Sequence, residues 1–208
     1  MIVSQFELLV LLNQIIYCYA LIPLIWENWK LKTARGLSDG LMWSLLNAFI
    51  VLSFYFFCLD MPYSYRASLI IQTTFTLVII FQRFWYDQFS YKRMLSLIYG
   101  TNFIVAVGCI PLALKWPHHV GHVAGWLGVL FLIINRIPQI LKIQRERSVY
   151  GFSYWFALLL GLASVMEFVI AIAYKLPLQT VATSVWAFIS FLIFTAQFYA
   201  FAWKQRSL

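Results

Sequence analysis

The stretch Asn135-Arg136-Ile137-Pro138-Gln139 sets two amides, a guanidinium and a proline inside a run otherwise built from Ile, Leu, Phe and Val. A proline in a helix interior has no N–H to give and crowds the carbonyl four residues back, so it bends the helix and frees that carbonyl. In apolar surroundings a freed carbonyl needs a new partner, which the Gln139 amide, a nearby hydroxyl or cavity water can supply. Arg136 either snorkels toward the end of its helix or meets a solute carboxylate or an acidic gate partner. Glu167 is a second ionisable group placed inside an apolar run. A carboxylate there is costly and is by default a functional hypothesis, serving as a proton or solute site or as a structural partner. Together, Arg136 and Glu167 carry the opposite charges that a zwitterion would need.

The elements that hold these groups follow from composition. Hydrophobic residues make up 63% of the 208 and charged residues only 11%, far from the soluble average of about 25% charged. Seven apolar runs, at about 6–28, 38–59, 66–87, 93–115, 120–142, 153–174 and 179–202, each reach the roughly 20 residues that a spanning helix needs. The expected fold is all-α and integral to a membrane, with no room for a soluble catalytic domain. The first run lacks a basic leader and is followed by WENWK, so it reads as a retained helix and not as a signal peptide. Among the 15 Lys and Arg, the runs place Lys30, Lys32, Arg35, Arg83, Lys92, Arg93, Arg136, Lys142, Arg145, Arg147, Lys204 and Arg206 on one side, and Arg66, Lys115 and Lys175 on the other. Under the positive-inside rule the N-terminus is expected outside and the C-terminus in the cytosol. The net charge of +8 is then mostly topological, and nucleic acid drops out as a partner.

Shifting the chain by 115 residues lays residues 22–38 on residues 137–153 without a gap. Ile22, Pro23, Ile25, Gly36 and Ser38 meet identical residues at Ile137, Pro138, Ile140, Gly151 and Ser153. Lys30, Lys32, Thr33 and Leu37 meet Arg145, Arg147, Ser148 and Phe152. The same offset carries Gln82 onto Gln197. It spans four runs, an even number, so the copies are expected to run in the same direction: two parallel triple-helix bundles, 1–90 and 118–208, joined by a linker helix at 91–117. Such repeats hold a solute near the midplane between copies. In each turn, Thr33 or Ser148 and Ser38 or Ser153 are candidate caps, and Gly36 or Gly151 marks the reversal.

These residues resemble the PQ-loop family, which includes cystinosin-like amino-acid transporters and the SWEET sugar transporters. Pro138, Gln139, Arg147, Ser148, Gly151, Phe152 and Ser153 fit its pattern in full. Pro23, Lys32, Thr33, Gly36, Leu37 and Ser38 fit it with Leu24 in place of the glutamine. The resemblance implies a seven-helix solute transporter with Pro23, Pro138 and Gln139 as hinge or gate. Cystinosin-like members couple to protons through an acidic residue at the position of Leu160; Glu167 lies two helical turns further on. The family lines its cavity from the second helix, which makes Asn47 a pathway candidate.

Remaining polar residues divide between helix-to-helix bonding and the pathway: Asn47, Gln72, Asn102 and Asn135, with Trp43 and Trp186 as aromatic walls. An ion pair from Glu27 to Arg136 or Lys142 could close the gate. His118, His119 and His122 read as a polar loop, with metal binding and pH sensing as weaker alternatives. Cys18, Cys58 and Cys109 read as packing. No enzyme signature, metal site or cofactor is expected. The functional expectation is a transporter of a small polar solute, an amino acid or related metabolite, working by alternating access with proton coupling open. A SWEET-type sugar facilitator and a KDEL-receptor-like binding protein are the alternatives. Expected partners are the solute and the bilayer, with a homo-oligomer open. With no Asn-x-Ser/Thr acceptor, no long tail and no outer domain, a bacterial inner membrane is expected ahead of a lysosomal or other endomembrane.

Overall fold

The computed structural model describes residues 5–86 and 92–205, with side chains at 5–86 and 100–201. It contains α1 (Gln5–Leu31), α2 (Asp39–Cys58), α3 (Tyr63–Tyr86), α4 (Lys92–Lys115), α5 (Pro117–Glu146), α6 (Tyr154–Ala173) and α7 (Leu178–Gln205). Six of them, all but α4, are long and apolar enough to cross a bilayer; the described apolar stretch of α4, Gly100–Lys115, is shorter. The chain is an integral membrane protein. Arg206 lies outside the described residues, as do the side chains of Lys92, Arg93 and Lys204. The histidines expected in a loop are helical, because Pro117 opens α5 with a φ already suited to a first helical turn.

The interior inverts the soluble pattern. Asn13, Asn28, Gln139, Ser164 and Glu167 are buried, while Leu, Ile, Phe and Trp side chains are exposed along every described helix. Between helices surrounded by lipid there is little hydrophobic drive, so close packing and polar contacts decide which faces meet.

α1 packs on α3 and α6, α2 on α3 and α5, and α7 on α5 and α6, while α4 touches α2 and α5. Exchanging α1, α2 and α3 with α5, α6 and α7 returns the same set of neighbours, α4 aside. The loops repeat as closely. Lys32 and Arg147 end their helices in the left-handed region, at φ 51° and 49°, as Asp60 and Lys175 do at the other end, at 49° and 52°. Leu37 N donates to Ala34 O and Phe152 N to Val149 O, both at 3.1 Å. Arg35 N donates to Thr33 Oγ1 and Tyr150 N to Ser148 Oγ, both at 3.2 Å. Thr33 and Ser148 therefore brace the turns instead of capping a helix. Ser38 does cap α2, accepting from Leu41 N at 3.0 Å, whereas Ser153 makes no such bond. Chain reversal begins at the basic residue in both turns, not at the glycine. Gly151 follows with φ +71°, and Gly36 is required for space: a Cβ on it would lie 2.3 Å from the Gly151 carbonyl carbon.

The two seams between the helix sets pair equivalent helices but are filled differently. Along α2–α5, Gly121 abuts Leu59, Gly125 abuts Tyr55 and Gly128 abuts Leu52, each so closely that a Cβ would fall within 2.8 Å of the neighbouring side chain. Along α1–α6 the equivalent positions are Phe6, Val10 and Asn13. Phe6 lies on Tyr174 with ring centroids 4.2 Å apart, Val10 shares an apolar cluster with Ile170, and Asn13 bonds Glu167. Glycine lets one pair of helices approach closely, while side chains hold the other pair apart.

Gly36→Ala is expected to destabilise the protein by about 1–3 kcal/mol, the usual cost of overpacking. Thermal unfolding in detergent checks it, with Gly108→Ala as the control that meets no neighbour within 4 Å and loses nothing.

Candidate functional site

α5 presents Gln139 to the first turn. Its Nε2 donates to Gly36 O at 3.0 Å and its Oε1 accepts from Ser38 N at 2.7 Å, the paired bonds that one strand gives another. Sequence reasoning expected this amide near the carbonyl freed by Pro138; it instead clamps the neighbouring helix's entry turn. Lys142 adds bonds to Arg35 O and, at 3.1 Å, to Leu37 O. Leu24 takes the equivalent place in α1 and is buried without any such amide. Glutamines 115 residues apart complete the turn end: Gln82 Nε2 donates to Ile25 O at 3.0 Å and Gln197 Nε2 to Ile140 O at 2.9 Å. Where Arg83 pairs with Asp39 at 3.3 Å, the equivalent pair is Phe198 edge-on to Tyr154, with centroids 5.3 Å apart.

Behind the turns sits an apolar plug containing Leu24, Leu37, Phe152 and Phe194, and behind that a central cavity of about 140 Å3. Its wall comes from α1, α2, α3, α5, α6 and α7 and includes Tyr17, Gln72, Asn135, Arg136, Glu167 and Gln179. Glu167 is 4% exposed. Its Oε1 accepts from Tyr65 Oη at 2.5 Å; its Oε2 accepts from Asn13 Nδ2 and, at 3.5 Å, from Gln14 Nε2. Ser68 holds Gln14 in turn, donating to its Oε1 at 2.6 Å. The carboxylate thus ties α6 to α1 and α3 through neutral donors. Tyr55 and Thr180 join α2 to α7 at the same end through a 3.3 Å hydroxyl contact. Arg136 and Asn135 are equally buried, at 7% and 2% exposed, yet Arg136 Nη1 and Asn135 Oδ1 have no hydrogen-bond partner among the described residues.

Of the expected pathway residues, the fold gathers Gln72, Asn135, Arg136 and Glu167 at this cavity. Asn47 borders a separate space between α2, α4 and α5 together with Asn102, and its Nδ2 donates to Trp43 O at 2.8 Å. Trp43 packs edge-on to Phe131 at 6.0 Å, and neither it nor Trp186 lines the central cavity. Neither Arg136 nor Lys142 forms an ion pair with Glu27 among the described residues, because Lys142 is turned to turn carbonyls. α1 and α5 run unbroken through Pro23 and Pro138. No group of three His, Cys, Asp or Glu able to hold a metal occurs among the described residues, and the three cysteines are free thiols. Sequence reasoning missed Asn13, Gln14 and Tyr65. The adjacent amides Asn13 and Gln14 inside the first apolar run were the available signal.

Residues 120–180 match the family model of the PQ loop repeat. The second block is similar to that repeat. The matched region runs from α5 into the start of α7 and holds Arg136, Gln139 and Glu167; the first block, with Leu24, lies outside it. A solved structure described as a eukaryotic SWEET transporter, at 3.7 Å resolution, superposes with a TM-score of 0.66 over 96% of this chain and 99% of that one, at 16% identity. The fold is therefore shared along nearly the whole length. No match is found among curated proteins.

Gln139→Leu is expected to cost about 1–3 kcal/mol by stranding two buried backbone groups, read as earlier thermal unfolding. Leu24→Ala in the PQ-less copy removes only apolar contacts, so its loss tracks volume and leaves the turns' amide-exchange protection intact. Gln139→Leu raises exchange at Ser38.

Proposed function

We propose that the chain is a membrane transporter of a small polar solute, an amino acid or related metabolite. Two triple-helix bundles, 1–90 and 118–208, linked through 91–117, rock against one another with Pro23 and Pro138 as the bending points. The observation that carries this reading is a central cavity between two sets of repeated helices, with Arg136 and Glu167 in an otherwise mostly apolar wall, in a chain that spans a bilayer. A purely structural bundle gains little from burying Arg136 and Glu167, since each charge costs desolvation.

The closed turn end supports alternating access. Gly36 and Gly151 meet backbone to backbone, and Gln139 holds one turn by reversible hydrogen bonds. Opening this end requires those few bonds and the plug behind them to part, which suits a gate. Glu167 is the group we assign to proton coupling, because protonation would change its bonds to Asn13, Gln14 and Tyr65 and so the hold of α6 on α1 and α3. The basic turn ends suit the cytosolic face, with the N-terminus outside, and a bacterial inner membrane is the proposed location. The SWEET likeness belongs to the fold. Arg136 and Glu167 in the cavity wall favour an ionic solute over a neutral sugar.

The test is counterflow uptake in proteoliposomes against radiolabelled amino acids and sugars, at equal and unequal pH. Wild-type flux is expected to saturate and to rise with an inward proton gradient, and Glu167→Gln is expected to keep exchange while losing the response to the gradient. Saturable binding with no flux of any compound would favour a receptor instead.

A further inference from the structure

The central cavity contains two ionisable groups in opposite states of satisfaction. Among the described residues Glu167 is the one carboxylate on its wall and Arg136 the one cation. Each sits more than nine-tenths buried. Three donors, all neutral, already engage both oxygens of Glu167. Arg136 Nη1 has no partner among the described residues, and beside it in sequence Asn135 Oδ1 has none either.

A buried guanidinium without a counter-charge is costly, and the cavity's own anion is not its partner. A guanidinium fork matches a carboxylate through two parallel bonds. Asn135 Oδ1 asks for the reverse, a donor. One class of small solute presents both at once: a carboxylate with an amino or hydroxyl group on the adjacent carbon.

Resting on the transporter reading above, we propose that Arg136 takes the solute's carboxylate and Asn135 Oδ1 its α-amino or α-hydroxyl donor, while Glu167 does not touch the solute. The α-nitrogen is read as a hydrogen-bond donor and not as a cation. α-Hydroxy acids are then accepted as amino acids are.

The experiment is counterflow and thermal stabilisation of the full-length protein with four matched sets: L-amino acids, their α-hydroxy analogues, their deamino analogues and their carboxamides. The amino and hydroxy acids are expected to compete within about threefold of each other. Carboxamides, lacking the charge-assisted bonds, and deamino acids, lacking the donor, are expected to be at least about tenfold weaker. Arg136→Lys, which keeps the charge and loses the fork, is expected to weaken binding at least about tenfold. Asn135→Leu should erase the preference for hydroxy over deamino acids, and Glu167→Gln, whatever it does to affinity overall, should leave the ranking of the four sets unchanged. Thermal unfolding of each variant without solute separates misfolding from lost recognition.

Carboxamides or neutral sugars that move as well as acids, insensitivity to Arg136→Lys, or a ranking of the four sets altered by Glu167→Gln would each overturn the subsite, as would a panel in which no compound binds. If the expected pattern appears as stabilisation without flux, the subsite stands and the transport reading fails. Flux of a neutral solute unaffected by Arg136→Gln gives the converse.

Discussion

The side-chain amide of Gln139 pairs with the backbone of the opposite turn, and the arrangement at that end of the molecule depends on this contact. By bonding Gly36 O and Ser38 N together, it fixes the start of α2 against α5. It also leaves Ser38 Oγ to cap α2 and brings Gly36 onto Gly151 with no space for a side chain. An amide suits this task because it donates and accepts at once, so two backbone groups are satisfied without burying a charge. Leu24, its counterpart, has the right volume for the plug but neither capacity, so only one of the two turns is held in this way.

The two helix sets keep one arrangement of neighbours and vary its chemistry. An ion pair, Arg83 with Asp39, occupies the position at which the other set has Phe198 against Tyr154. A hydrogen-bonded carboxylate, Glu167 with Asn13, replaces Leu52 against Gly128. Where equivalent turns share a backbone bond, its length differs by no more than about a tenth of an ångström, because it is set by the fold. Side-chain contacts have been free to specialise, and the cavity inherits that asymmetry: its carboxylate is in α6 and its guanidinium in α5.

Much of the fold was legible because the bilayer simplifies the code. Length and hydropathy located the helices, and the 115-residue offset anticipated Gln82 and Gln197, whose bonds to Ile25 and Ile140 turned out to be equivalent. What could not be read was direction around each helix. In a soluble helix polarity marks the outer face, but here both faces are apolar, so Asn47, Trp43 and Trp186 gave no sign that they lie outside the cavity's wall. The partner of Gln139 was equally hidden. Its nearest candidate along the chain was the carbonyl released by Pro138, whereas its actual partners are more than 100 residues away. Pro117 moved the start of α5 back over three histidines for a local reason that was visible in the sequence.

The glycines at 121, 125 and 128 make each half the wrong shape for a copy of itself. Two second halves placed together would set those glycines opposite Tyr174, Ile170 and Glu167, leaving hollows beside the last and stranding its carboxylate. Two first halves would drive Phe6, Val10 and Asn13 into Leu59, Tyr55 and Leu52, where glycine now makes room. In a chain that reads as a duplication, each half is thus shaped for the other and not for a copy of itself: a lock and its key.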